Sequence, residues 1–459
     1  MIRPVYCIAA LLLMVAPVRA SGQYRLPSDE RVKAILAEQV GPKHAAGVVI
    51  GLMEADGSTR ILSAGKADNG ALVLDGHSVF EIGSITKTFT NAILADMVRK
   101  GEVSLDDPVQ KYLPSTVKIP TRNGKEITLL DLATASSGLP GMPSNFKPKD
   151  PTNPYADYTV AQMYEFLSGY TLTRDIGARY EYSNLGMGLL GHALALKAGK
   201  SYDALVEERV LKPLGMKDTK IELTPDQKRR LALGHNPAGT VVANWDLPTL
   251  AGAGALRSTV TDMLKYLAAN LDSTSKPLGT TLAFTHTSRR PTTSPTLTMG
   301  LGWHILKSPG GSVVWHNGGT GGYRTFMGFD LAKRVGVVVL SNSAISVDDI
   351  GLHVVDSLVP LTKPPVERKE VAIDAALLSR YEGTYQLTPQ LQLMVTVENG
   401  SLMIAATGQN KLRGRPYGEK DFFVPEAQAE FSFVLGDDGK ATQLVFRQPG
   451  GQMVAKKVQ

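Results

Sequence analysis

Apolar residues recur along this chain with two periods, and the change from one to the other divides it. Near the start Val32, Ile35, Leu36 and Val40 share a helical face behind Ser28, with Asp29 and Glu30 in the first turn. Residues 45–53 form a continuous apolar run, Asp56-Gly57 marks a hairpin turn, and residues 60–65 return as a second strand. Helical spacing resumes after Gly83, where Ile85, Phe89, Ala92, Ile93 and Val98 repeat. Residues 140–154, rich in Pro, Asn, Gly and Lys, read as a loop and a candidate pocket rim. Gly186, Gly188 and Gly191 formally match a dinucleotide fingerprint, but the residues before them are polar and charged where that motif needs a strand. The segment is therefore read as a helix of small residues packed on a neighbour, with His192 a packed histidine.

Further on, Ser258-Thr259 precedes a helix with Met263, Leu264 and Leu267 inward, and the polar residues 273–294 are expected on the surface. Strands are then expected at residues 299–305, 312–316, 323–329 and 335–340, the last β-branched enough to be central. After Pro364-Pro365 the pattern shortens to alternating runs at residues 383–387, 391–397, 401–405, 431–435 and 443–447. These predict a small antiparallel β-barrel, lipocalin-like, which offers no catalytic constellation. The expected divisions are an α+β domain over residues 21–360, a linker over 361–372 and the barrel over 373–459.

Residues 1–20 read as a secretory signal peptide, with Arg3 before an apolar run at 8–15 and small residues up to Ala20. The single cysteine, Cys7, lies inside it, so the mature chain is expected to lack thiol chemistry and disulfides. No second stretch is long and apolar enough to span a membrane, which predicts an exported protein, periplasmic or secreted. The net charge of +6 comes from scattered Lys and Arg without interleaved aromatics, which argues against nucleic acid as a partner.

The chemistry starts at Ser84-Ile85-Thr86-Lys87. Residues three apart share a helix face, so the Lys87 amine would lie beside the Ser84 hydroxyl at a helix N-terminus, where developing negative charge is favoured. Serine is a poor nucleophile without such a neighbour. Two later stretches, Tyr182-Ser183-Asn184 and His316-Asn317-Gly318, stand in an order and spacing that resemble the serine β-lactamase and penicillin-binding-protein pattern. The Tyr-x-Asn form is similar to that of class C β-lactamases and their DD-peptidase, D-aminopeptidase and family VIII esterase relatives. Ser136-Ser137-Gly138-Leu139-Pro140, residues 213–219 and residues 254–258 share in this resemblance, which spans roughly residues 36–343.

The resemblance implies a β-lactamase/transpeptidase-like fold, an antiparallel sheet flanked by helices against an all-α lobe, with the site between. It implies Ser84 as the acylated nucleophile and Tyr182 as general base, helped by the positive field of Lys87. Asn184 would fix Lys87 and contact the substrate, and the N–H groups of Ser84 and Gly319, following Gly318, would form the oxyanion hole. The third motif departs from the pattern, since many class C enzymes carry lysine where this chain has His316. Recognition of a substrate carboxylate is then expected to be weaker or more pH-dependent. No cofactor is implied, and no histidines or carboxylates pair at metal-ligand spacing. The leading expectation is a β-lactamase, with a D-alanyl-D-alanine carboxypeptidase or D-aminopeptidase next and a carboxylesterase third. The substrate is in each case a small molecule, a β-lactam or D-amino-acid peptide first. A non-enzymatic β-lactam sensor is the expectation from outside enzymology, and deacylation rate separates it from an enzyme.

Overall fold

The continuous apolar run at residues 47–53 becomes a fully buried strand inside a large sheet. The computed structural model describes residues 24–39, 46–362, 368–388, 391–407, 411–427, 429–448 and 451–458. Residues 1–20, with Cys7, and Val40 and Pro364-Pro365 lie outside the described residues. Strands β1 (Gly47–Met53) and β2 (Thr59–Gly65) form the expected hairpin, and β3 (Phe80–Glu81) pairs separately with β4 (Arg257–Ser258). Then come β5 (Arg290–Pro291), β6 (Leu297–Met299), β7 (His304–Ser308), β8 (Gly311–Gly319), β9 (Arg324–Asp330) and β10 (Val335–Ser341). The large sheet is wholly antiparallel, in the order β2-β1-β10-β9-β8-β7-β6-β5.

All seven residues of β1 and all seven of β10 are buried, because helices cover both faces of the sheet. On one face Val48, Ile50, Leu52, Val337 and Val339 pack with Val32, Ile35 and Leu36 of α1 (Asp29–Gln39) and with Ile350 and Val354 of the helix Asp348–Val355. On the other, Val49, Val338 and Leu340 join the core of the helical lobe. The helix Val260–Leu271 lies close on this face; a Cβ at Gly51 would sit 2.5 Å from Val260.

Helix α2 (Thr86–Arg99) shows more burial than its apolar spacing predicts. Every residue from Thr86 to Met97 is buried, so it is a core helix and not an amphipathic surface one. Most of its polar groups are satisfied internally, Asn91 Oδ1 being the exception. Thr90 Oγ1 meets the Gly252 carbonyl and the Tyr202 hydroxyl, each at 2.7 Å, and Asn91 Nδ2 donates to the Lys87 carbonyl at 2.8 Å. Around α2 pack α3 (Leu129–Ala133), α4 (Val160–Gly169) and α5 (Asn184–Ala198), among others. The glycines of α5 serve close packing, since a Cβ at Gly191 would be 3.0 Å from the Gly252 Cα. His192 is half-buried and bonded through Nε2 to the Tyr164 hydroxyl at 2.5 Å.

Two expectations need correction. The polar segment 273–294 contains a helix, Gly279–Thr285, in which Leu282 and Thr285 are fully buried. Thr281 and Thr285 are buried, and Thr285 Oγ1 donates to the Leu282 carbonyl at 2.6 Å, so polarity misled the reading. The single strand expected at 299–305 is broken by a tight turn, with Gly300 N–H donating to the Trp303 carbonyl at 2.9 Å. Gly302 there has φ +70, and a Cβ on it would strike the Asn91 side chain.

The C-terminal unit is a closed barrel of β11 (Gly383–Thr388), β12 (Leu391–Glu398), β13 (Ser401–Ala406), β14 (Leu412–Pro416), β15 (Asp421–Val424), β16 (Ala429–Leu435), β17 (Ala441–Gln448) and β18 (Gly451–Lys457). Each strand pairs with the next, and β11 closes on β18 through Tyr385 and Lys457. The up-and-down order agrees with the expected barrel; β14 and β18 were hidden by Gly, Pro and basic residues, and β15 by its length of four residues. Tyr381, Tyr385, Phe422 and Phe433 pack together in its core, with Tyr381 and Phe433 stacked at 4.6 Å.

One buried group makes stability pH-dependent. His286 packs its ring against Phe329 at 5.0 Å, and its Nε2–H donates to Asn270 Oδ1 at 2.8 Å. Burial pushes its pKa down to about 3. The unfolded chain takes up the proton near pH 6.5. The stabilisation is therefore complete above about pH 6.5 and lost as pH falls toward about 3, at up to about 1.4 kcal/mol per pH unit. Thermal unfolding between pH 7 and 4.5 should show the midpoint falling, and falling less steeply for His286→Gln. Equal slopes for the two proteins would remove this histidine as a cause.

Candidate active site

The turn Gly83–Ile85 joins β3 to α2 and places Ser84 just before the helix. Gly83 has φ +50, and a Cβ on it would stand 2.7 Å from the Gly319 nitrogen. Gly318 likewise lies against the Ile82 carbonyl, leaving no room for a side chain. Thr325 Oγ1 ties the same Ile82 carbonyl at 2.9 Å. These contacts set the backbone of β8 against the nucleophile turn. Thr320 N–H bonds to the Tyr323 carbonyl at 3.1 Å, so by antiparallel alternation the Gly319 N–H turns away from β9, the side on which Ser84 lies. Sequence reasoning paired Ser84 with Gly319, and the fold brings the two together.

Lys87 is 2% exposed and meets three oxygens. Its Nζ lies 2.8 Å from Ser84 Oγ, 2.8 Å from Asn184 Oδ1 and 2.6 Å from the Ala253 carbonyl. Burial drives its pKa well below the usual lysine value. Its Nζ donates to all three oxygens, Ser84 Oγ among them. Asn184 is free for this because Ser183, not Asn184, caps α5, accepting from Gly186 N–H at 2.8 Å.

The Lys87 Nζ also sits 4.7 Å from the centre of the Tyr182 ring. Tyr182 leaves 37% of its surface exposed, yet burial around its hydroxyl pushes its pKa well above 10, against a smaller opposite effect of a hydrogen bond with Ser84. Burial thus raises the Tyr182 pKa and lowers that of Lys87. The physical reason is that burial penalises both charged forms and so moves the two groups in opposite directions.

His316 faces Tyr182 with ring centres 6.4 Å apart and is 2% exposed. Its Nδ1–H donates to the Asn317 carbonyl at 2.6 Å, so Nε2 carries the lone pair of a neutral ring. Burial, then the charges of His304 and Lys87, push its pKa well below 6.5. His304, which the sequence did not flag, lies 5.1 Å away ring to ring, and its Nε2 pairs with the Tyr180 hydroxyl at 3.2 Å. Its pKa is lowered to about 4, by burial and then by Lys87. Tyr155, also unflagged, joins its hydroxyl to Asn184 Nδ2 at 3.3 Å and packs on Trp245 at 5.4 Å. Behind the turn, buried Glu81 accepts from Trp245 N–H at 2.9 Å and Asn244 Nδ2 at 3.0 Å and faces Arg257. Burial raises its pKa and Arg257 counters the rise. No group of three or more metal-ligating side chains is present among the described residues.

A serine hydroxyl beside a buried amine, with a phenol in the same cleft, has the makings of a nucleophilic acyl-transfer site. The comparisons agree. A family model described as Beta-lactamase matches residues 32–356, and one described as a domain of unknown function (DUF3471) matches residues 367–456. The chain is 33% identical over 276 residues to the D-alanyl-D-alanine-carboxypeptidase/endopeptidase AmpH of Escherichia coli (strain K12), covering 57% of this chain and 70% of that one. It is 28% identical over 400 residues to penicillin-binding protein 4* of Bacillus subtilis (strain 168), covering 81% and 86%. A crystal structure of a β-lactamase/D-alanine carboxypeptidase from Yersinia pestis complexed with citrate superposes with a TM-score of 0.60 at 28% identity, over 69% of this chain and 92% of that one. By its matched residues, its fold and its cleft, the chain belongs to the β-lactamase family of serine hydrolases.

Proposed function

We infer that the protein is an exported serine β-lactamase that opens the lactam amide through a Ser84 acyl-enzyme. The observation that carries this reading is the buried Lys87 amine 2.8 Å from Ser84 Oγ. Ser84 Oγ attacks the lactam carbonyl as its proton passes to Lys87, and the Ser84 and Gly319 N–H groups hold the oxyanion. The C–N bond then breaks, the lactam nitrogen taking a proton from the Tyr182 hydroxyl, which Lys87 re-protonates. Water attacks the resulting ester by the reverse relay and releases the open acid and free Ser84. This assigns Lys87 as base and Tyr182 as proton carrier, reversing the roles the sequence pointed to.

A second reading is a D-alanyl-D-alanine carboxypeptidase, which the similarity to AmpH and to penicillin-binding protein 4* favours. The same first step serves both; they differ in how fast water clears the acyl-enzyme. Export rests on residues 1–20, and among the described residues no helix is long and apolar enough to cross a membrane.

The deciding measurement follows a penicillin, a cephalosporin, a carbapenem, a short-chain ester and a D-Ala-D-Ala peptide with the protein and its Ser84→Ala variant. Multiple-turnover lactam hydrolysis lost in the variant supports the first reading. Stoichiometric acylation with peptide cleavage moves the protein to the second, and activity surviving in Ser84→Ala overturns both. The base is tested separately. Lys87→Arg keeps a charge but has no lone pair at neutral pH, so acylation should fall by about 10²–10⁴, the usual worth of a general base. An Arg variant that acylates at near the wild-type rate would return the base to Tyr182. Because the active Lys87 is neutral, acylation should fall as pH drops through its lowered pKa and stay level above it.

A further inference from the structure

We infer that Glu81 is a positioning residue for the oxyanion hole, bracing the nucleophile turn against the β8–β9 turn, with the Thr320 hydroxyl as its contact on the far side. The inference rests on the acyl-enzyme reading above, in which the N–H groups of Ser84 and Gly319 hold the oxyanion. Ser84 lies three residues after Glu81, and Gly319 directly precedes Thr320. The two N–H groups come from segments far apart in the chain, so their spacing has to be set by contacts between the turns.

Glu81 is buried on β3 opposite Arg257 of β4, whose Nη2 lies 3.4 Å from Oε1. Oε1 also accepts from Trp245 N–H at 2.9 Å and from Asn244 Nδ2 at 3.0 Å. Both of these residues reach the β8–β9 turn. Asn244 Nδ2 bonds at 3.1 Å to the Tyr323 hydroxyl, and the Trp245 indole covers Gly321, where a Cβ would stand 2.8 Å from Nε1. The Tyr323 carbonyl accepts the Thr320 N–H at 3.1 Å. Arg324 Nη1 ties the same turn, donating to the Thr320 and Tyr323 carbonyls at 2.8 Å each. One oxygen of Glu81 thus serves three donors. Oε2 is sealed from solvent and unpartnered among the described residues, and so is Thr320 Oγ1. Burial raises the Glu81 pKa, Arg257 lowers it most, and the nearby Thr320 hydroxyl lowers it next. The two leftover atoms, an acceptor and a donor, therefore face each other just short of full hydrogen-bond geometry. A buried carboxylate oxygen without a donor is costly, and closing this contact fixes the Gly319 N–H relative to Ser84.

The experiment compares wild type with Thr320→Val, Thr320→Ser, Glu81→Asp and the double variant Thr320→Val/Glu81→Asp. Acylation by a fluorescent penicillin is timed per titrated Ser84. Inhibition by an arylboronic acid reads the hole directly, because its tetrahedral adduct with Ser84 sets an oxygen there. Penicillin binding without reaction is read by equilibrium dialysis on the same variants carrying Ser84→Ala. Thr320→Val keeps the shape and removes the donor, whereas Glu81→Asp keeps the charge opposite Arg257 and shortens the reach. Each should slow acylation and weaken the boronic acid by about tenfold, less than the roughly 10²–10³ that a lost oxyanion donor costs. Unreactive penicillin binding should stay within about twofold, and Thr320→Ser should behave as wild type. The double variant should lose no more than the larger single one, since both act through one contact. Wild-type rates per titrated serine in Thr320→Val would make the hydroxyl an idle buried group and overturn the proposal. So would additive losses in the double variant, or equal losses of boronic acid and unreactive penicillin binding, which would assign Glu81 to the cleft walls. A wild type that takes no acyl group and binds no boronic acid would instead defeat the acyl-enzyme reading, and this proposal with it.

Discussion

The site depends on burying one amine. Lys87 is enclosed by the lobe that closes around α2, and what would be a solvated cation on a surface helix becomes a group for which charge is expensive. The fold answers with three acceptor oxygens for its N–H groups: an amide oxygen from the first residue of α5, a carbonyl from Ala253, and the serine itself. Each comes from a different part of the chain. The helical lobe must therefore be fully packed before the nucleophile has its partner, and packing and catalysis share the same residues.

The second requirement is closeness of backbone to backbone. Gly83, Gly318 and Gly319 carry no side chains where the nucleophile turn meets β8, and any Cβ at the first two would intrude on main-chain atoms. The turn is held from behind by the β3–β4 pair and by Glu81, whose bonds to Asn244 and Trp245 extend the same brace to the aromatic wall at Tyr155. The nucleophile turn, the end of β8 and the aromatic wall are thus joined by one continuous set of contacts.

How much of this was legible follows from where the information lies. Ser84 and Lys87 are three residues apart, and helix geometry alone brings them together. Tyr182, Asn184 and His316 were readable through the order of their motifs, because their types are diagnostic together and not singly. The Ala253 contact was not readable, since a carbonyl has no side-chain signature. His304 was one histidine in an ordinary strand, and Arg324 one arginine after a glycine-rich turn; only the pairing of β7, β8 and β9 places them at the cleft. The buried threonines of α2 and of the helix Gly279–Thr285 disguised core as surface, because hydropathy scores a hydroxyl as exposed whether or not a carbonyl awaits it.

The centre of the large sheet has a kinetic consequence. β1 pairs with β10, so Val49 lies opposite Leu340 across nearly the whole length of the domain. Loop closure over such a span is entropically unfavourable until the intervening helices have collapsed, and high contact order slows folding. While a ribosome is still making the chain, β1 has no partner on one edge: its apolar residues wait for a strand that emerges last. A chain in that state is an easy target for strand-to-strand aggregation and needs a holding chaperone.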